Sequence, residues 1–470
     1  MGPWKGCQGG QATDNGVVTQ EVPGRRRRDH HRLQARQAMV CPAQSRFQNI
    51  SCRGAWLLLS LLVVLIVYGV AIRRSTQSLI KADTRKGAVD FLLYEKIVER
   101  MHAGESYYDA AGAELRARGY PLRPFLTWRS PVLASYMAMF PSAGASRIAI
   151  AAMVAAALWF WIGILRPDGP FWQIAGGTLL LTGLGAPLLG AIWYWARNLD
   201  PGSGWRPVVG GILLFVCLGA VVLGATWLWI RRIKRDGPLW MPIVGGSLLV
   251  LCLAVAAGKP SYLYHEAWSG LCIVLSLGLH GRGHWQLSVA FGVLALFIRE
   301  LALPFVVVML GMACWERRKG ETVAWLAGLA GFALFLGIHA WAVSSHATGA
   351  GEGSEGWFRL GGWPFVIKTA RANVFLLAAP SWVAGIVLPL ALVGLAGWSG
   401  PTGTRAGLTV GAYVTGFTVV GRPDVHAYWG LMYASLLSVG AVLAPQALRD
   451  LVRAAGGLRV RQTAGASAAR

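Results

Sequence analysis

The chain has 470 residues, 55% of them hydrophobic and 14% charged, with a formal net charge of +23 and a mean hydropathy of +0.48. Soluble globular chains carry nearer a quarter charged residues, so an ordinary soluble enzyme of this length is excluded. The positive charge does not point to nucleic acid, because arginine gathered beside apolar runs is what membrane topology and anionic headgroups favour; no nucleic-acid partner is assigned.

Residues 1–53 are polar and Arg-rich without apolar periodicity, and are predicted to form a disordered basic cytoplasmic tail. They also fit an extension upstream of the natural start. The run 55–72 (AWLLLSLLVVLIVYGVAI) does not alternate as a barrel strand would, so it reads as a helix. Arg73 and Arg74 follow it in place of a small-residue cleavage site, which predicts an uncleaved anchor. Residues 73–130 then form one long hydrophilic external loop. Within it Leu93, Ile97 and Met101 recur every fourth residue, predicting an amphipathic helix over 87–103 that lies on the membrane and stops at Gly104. A second helix is expected over 107–118, ended by Gly119, and 131–140 is too short to span and belongs at the interface.

Apolar runs follow at 146–165, 171–193, 206–230, 238–257, 267–280, 285–298, 301–315, 322–343, 380–398, 405–420 and 429–447. The expected fold class is all-α integral membrane, with about 12 transmembrane helices and an amphipathic-helix external loop after the first span. The polytopic domain is 54–447, and 448–470 is a basic cytoplasmic tail. The stretch 285–315 is divided in two because a single helix would place Arg299 and Glu300 at mid-bilayer, at a cost of several kcal/mol unless they pair. The Gly-rich 344–362 is expected to be a mobile loop. With this count the basic segments Arg25–Arg28, 231–235 (RRIKR), 316–319 (ERRK) and the arginines after 448 all face one side, the cytoplasm.

Cys7, Cys41 and Cys52 lie in the tail and Cys217, Cys252, Cys272 and Cys314 in apolar runs, so no outer disulfide framework is expected. The sequence carries no CxxC, HExxH or zinc spacing and no phosphate loop between a strand and a helix. What remains is an accumulation of ionisable residues at the outer ends of the spans. Asp90, Glu266, Glu300 and Asp424 are the acids, with Arg299, Arg422, His265 and His426 beside them. Converging spans that present acids, arginines and aromatics on one face build a candidate site. Each residue also has a plainer reading. Asp90 fits a surface acid paired with Arg85 or Lys86, Glu266 a helix-start acid, His265 an interfacial ring, Arg299 and Glu300 a self-satisfied pair, and Asp424 a turn residue.

Several of these residues carry a family resemblance. Asp90-Phe91-Leu92-Leu93-Tyr94, Gly104 and Tyr107-Tyr108 resemble the D-F-x-x-Y…G…Y pattern in the first external loop of GT-C superfamily glycosyltransferases. Ser130-Pro131-Val132-Leu133, Phe140 and Arg147 are similar to the P-P-L…F-G…R-L-P pattern of the aminoarabinose- and mannose-transferring members. Glu266 to Leu271 and the Arg299-Glu300 pair complete a likeness that covers about 55–315 and is also similar to a bacterial cell-surface glycopolymer group. The chain departs from the pattern in lacking the acidic pair of the first loop, in having one proline for two, and in Arg-Glu where a lysine is common.

The resemblance implies transfer of a sugar from a polyprenyl-phosphate donor to a lipid, glycan or protein hydroxyl at the outer face of the inner membrane. It implies Asp90 as the base that takes the acceptor proton, with Glu266 as a second catalytic carboxylate. Arg422 and Arg299, with Arg147 behind them, would face the leaving phosphate. Tyr94, Tyr428, Trp268 and Trp429 would stack on sugar, and His265, Glu300 and Asp424 would complete the binding face. No cofactor is required, although carboxylates in loops could hold a divalent cation without a recognisable motif. The competing reading is a transporter or flippase of lipid-linked glycans; internal repeats and midplane charges would mark it, and the sequence shows neither.

Overall fold

Ser51 begins the first long helix by accepting a hydrogen bond from the Gly54 amide, and after twenty helical residues Ile72 ends it (α1, Cys52–Ala71). A computed structural model of the chain describes residues 45–72, 92–139, 143–165, 263–347, 360–377, 379–421 and 426–457, with Ile243 and Ser247. The expected spans 171–193, 206–230 and 238–257 lie outside these residues, apart from Ile243 and Ser247, and so do Asp90, Arg422 and Asp424. Among the described residues secondary structure is helical, without a strand.

Along α1 the large apolar side chains stand exposed rather than packed: Leu57 is 72% exposed and Val64 60%. A helix that leaves its apolar surface bare is matched to lipid, not water. Among the described residues three helices are long and apolar enough to cross a membrane: α1, Lys319–His346 and Ala434–Ala455.

The described part of the hydrophilic segment after α1 folds as short helices. Its first, over 92–102, ends at Gly104 with φ +97°. We label it α2. Ser106 caps the next, α3 (Tyr107–Ala117), by accepting from the Asp109 amide, and Gly119 follows it at φ +67°. Both stops fall at the expected glycines. The apolar stripe of α2 does not lie against lipid. Leu93 and Ile97 are buried in a small core with Tyr107, Ala110, Leu115, Leu122, Trp128 and Ala134. The periodicity predicted the stripe correctly; residues 107–134 supply its cover. α4 (Pro131–Ala138) starts with Pro131 in its first turn and Ser130 accepting from the Val132 amide.

After α5 (Ala143–Leu165) come the paired helices α6 (His265–Gly281) and α7 (Trp285–Ile298). Every residue of α6 is buried, so it forms the axis of the apolar core. The break expected at Arg299 is present: Arg299 is extended (φ −149°, ψ 119°), a single 3-10 turn spans Glu300–Ala302, and α8 (Leu303–Trp315) begins with Pro304 in its first turn. Pro304 stands where a helix begins, so its missing N–H leaves no helical hydrogen bond unmade. α9 (Lys319–His346) follows.

Two elements go beyond the sequence reading. α10 (Gly362–Ala370) buries Phe365, Val366, Ile367 and Ala370 although it is too short to register as a span. The last helix runs past 447: after α11 (Ser381–Gly397) and α12 (Gly400–Val419), a 3-10 turn Ala427–Met432 leads into α13 (Ala434–Ala455). Its last turns are held because Leu451 and Ala455 bury against Phe47 and Ala55. The same cluster orders the end of the expected tail, where Arg46–Asn49 forms a turn around buried Phe47. α11 packs on both α13 and α1. It meets α1 where a Cβ on Gly385 would stand 2.7 Å from the Gly69 carbonyl carbon, so only glycine permits this crossing.

Candidate functional site at the start of α6

α6 carries an ionic group at each end and mostly apolar residues between. Glu266 lies in its first turn, where the helix dipole favours a carboxylate, and His280 in its last. Fourteen residues separate them, about 21 Å at a rise of about 1.5 Å per residue.

At the far end, Arg405 (α12) grips Glu316 through both guanidinium tips at 2.8 and 3.0 Å. Arg318 lies 2.8 Å from the same carboxylate, and His280 lies 3.2 Å from Glu321. Burial pushes the Glu316 carboxyl up, but Arg405 and Arg318 outweigh it and hold the group below its ordinary range. This cluster fastens α6, α9 and α12 to the turn after α8.

The first-turn end is built differently. The extended backbone at Arg299 sends its side chain back toward α6, where Nε donates to Glu266 Oε1 at 2.6 Å and Nη1 pairs with Glu300. The Arg299 and Glu266 side chains are 1% and 2% exposed, whereas Glu300 is 23% exposed. The break between α7 and α8 thus places one arginine between two carboxylates, only one of which reaches the surface.

A second guanidinium stands beside this pair. Arg129, in the extended stretch before α4, donates from Nε to the Tyr94 hydroxyl and from Nη2 to the Tyr428 hydroxyl, both at 3.0 Å. Its own carbonyl accepts from the Tyr107 hydroxyl at 2.5 Å. Burial pushes the Tyr107 phenol up, so it stays protonated and able to donate. Burial opposes the charge on Arg129, but Tyr94, Tyr428, Glu266 and Glu300 outweigh it and hold the guanidinium above its ordinary value.

The neighbouring residue completes the frame. Ser130 Oγ donates to the Phe297 carbonyl at 2.5 Å, and the Ser130 carbonyl lies 3.3 Å from His265 Nε2. The His265 ring meets Tyr94 edge-on at 5.2 Å between centroids, and Tyr264 stacks on Tyr428 at 5.4 Å. A small, mostly apolar pocket opens beside this frame, lined by Tyr94, Ile97, Val98, Tyr107, Leu133, Ala134, Met137, Leu263 and His265.

Six of the residues expected from the sequence therefore gather at one place: Tyr94, His265, Glu266, Arg299, Glu300 and Tyr428. Arg147 lies on α5, whose backbone is described there without its side chain. Trp429 is buried with its ring stacked on His426 at 4.0 Å, which makes it a packing residue rather than a sugar platform. Arg129 was not anticipated. Its loop also holds Arg116, Arg118 and Arg123, and nothing in their spacing separates the inward arginine from the others. The position just before the Ser-Pro start of α4 is the only local signal.

Among the described residues no group of three or more His, Cys, Asp or Glu side chains is arranged to hold a metal ion. No protein-family model, no curated protein and no solved structure matches the chain.

Proposed function

We propose that this chain is a membrane glycosyltransferase that moves a sugar from a polyprenyl-phosphate donor to a hydroxyl of a lipid, glycan or protein acceptor. In this reading it works at the outer face of a bacterial inner membrane, in the synthesis of a cell-surface glycopolymer, with about twelve spans and both termini in the cytoplasm. The observation that carries the reading is the pairing of two guanidiniums, Arg129 and Arg299, with carboxylates and phenols at the first-turn end of α6.

Such a site suits group transfer from a lipid phosphate. The leaving group is already a good one and gains from a fixed positive field at low dielectric. The attacking hydroxyl needs a carboxylate to take its proton as the new bond forms. Asp90 is the assigned base, four residues before Tyr94, whose hydroxyl is bound by Arg129. Glu300, the partly exposed carboxylate, is next in line, and Glu266 serves as the counter-ion that fixes Arg299. A transporter reading is less well supported because Glu266 and Glu300 sit at helix ends, not at mid-helix.

Deleting the gene and restoring either wild type or Asp90→Asn tests the reading. Loss of one sugar from the surface polymer, restored by wild type and not by an inserted, stable Asp90→Asn, is the expected result. An unchanged polymer in the deletion strain would overturn it.

A further inference from the structure

The two arginines of the site are not equivalent. Arg299 is 1% exposed and touches two carboxylates, so its charge is both covered and neutralised. Arg129 is only partly buried, and the groups bonded to its guanidinium are phenols, not carboxylates. Its cationic field is the one left to act on an incoming anion, since a charge shared with a touching carboxylate has little attraction to spare.

The apolar pocket shares its walls with this arginine. Tyr94 lines it while bonding Arg129 Nε, and Tyr107 lines it while bonding the Arg129 carbonyl. His265 lines it too, and its Nδ1 is buried with no hydrogen-bond partner. A buried polar atom left unsatisfied beside an open pocket is an unused ligand contact. Leu133, Ala134 and Met137 of α4 form much of the remaining wall.

We propose that Arg129 is the phosphate-receiving residue of this site, and that it takes a phosphate monoester or diester whose first carbon enters the small pocket beside α4. The inference deepens the glycosyltransferase reading and rests on it for the sugar, but not for the amphiphilic phosphate. The phosphate oxygens meet the guanidinium fork, the Tyr94 and Tyr428 hydroxyls orient it, and His265 Nδ1 bonds an ester or sugar oxygen. Arg299 is a positioning residue that holds Glu300 and Glu266 beside the phosphate.

The test uses the full chain in phosphatidylcholine nanodiscs and three probes: a short-chain polyprenyl monophosphate, the matching polyprenol and inorganic phosphate. Wild type should bind the monophosphate well above both other probes. Arg129→Gln should weaken the monophosphate by about tenfold, the loss expected for one charge-assisted contact, and leave polyprenol unchanged. Arg129→Lys, which keeps the charge and loses the fork, should fall between and serves if the glutamine variant does not fold. Ala134→Phe should fill the pocket and weaken the monophosphate while sparing inorganic phosphate. Equal monophosphate binding by wild type and both Arg129 variants would overturn the assignment. So would wild-type binding of inorganic phosphate as tight as the lipid ester, which would make the site one for free phosphate. Binding as predicted without any sugar transfer would remove the glycosyltransferase reading and leave this one standing.

Discussion

Replacing Glu266 by glutamine removes one charge from the most enclosed ion pair at the site. The pair is 2.6 Å long and its side chains are 1% and 2% exposed, so no water replaces the lost carboxylate. Breaking a buried pair by removing one partner costs about 3–5 kcal/mol, because the other charge is left in a medium that cannot solvate it. Glu300 still contacts Arg299, which puts the expected loss at the lower end, about 3 kcal/mol. Glu300→Gln should cost less, about 1 kcal/mol, since its side chain is 23% exposed and its share of the attraction is screened by water. The assay is reversible unfolding of the full chain in mixed micelles, with the double variant Glu266→Gln, Arg299→Gln closing the cycle. A coupling above about 1.5 kcal/mol between Glu266 and Arg299 is expected. If Glu266→Gln stays within about 0.5 kcal/mol of wild type, or Glu300→Gln costs more, Arg299 is not held as argued.

Gly385→Leu should separate α11 from α1, because a Cβ there already stands 2.7 Å from the Gly69 backbone. A loss of about 1–3 kcal/mol is expected in the same unfolding assay, and an unchanged value would show that the helices do not cross there. Tyr107→Phe removes the hydroxyl that binds the Arg129 carbonyl and should cost about 1 kcal/mol, read as faster proteolysis between α2 and α4. The Glu316 carboxyl is held below its ordinary value in the folded chain. Its contribution is therefore present above the unfolded-state value and is lost as pH falls through the folded one. Stability should drop from about pH 5 downward in wild type and more shallowly in Glu316→Gln; parallel curves would contradict the Arg405 pairing.

What the sequence revealed, and what it hid, follows from the range of the forces involved. Helix stops at Gly104 and Gly119, the capped start at Ser130-Pro131 and the break at Arg299 are local events, and local residue chemistry announces them. The charged residues at the start of α6 and at the α7–α8 break could be named because apolar runs make any ionisable residue conspicuous. The amphipathic stripe of α2 was visible, but not its partner: whether Leu93 and Ile97 meet lipid or protein depends on residues 107–134 folding back over them. α10 escaped notice because nine residues give too short a period to distinguish from a loop. Arg129 escaped for a different reason. Its importance comes from Tyr94 and Tyr428, one 35 residues away in sequence and the other 299, a pairing no spacing rule conveys.

Departure of sugar from a lipid phosphate at this site is measured most directly as release of polyprenyl phosphate by the reconstituted chain. Proteoliposomes holding the full chain and polyprenyl-phosphate-linked sugars, labelled in the lipid, are supplied with acceptors and followed for free polyprenyl phosphate and glycosylated product in equal amounts. Wild type should produce both, Asp90→Asn neither, and Arg129→Gln a reduced amount that more donor partly restores. Correctly inserted wild type that leaves every donor intact while moving the intact lipid-linked sugar across the bilayer would contradict it.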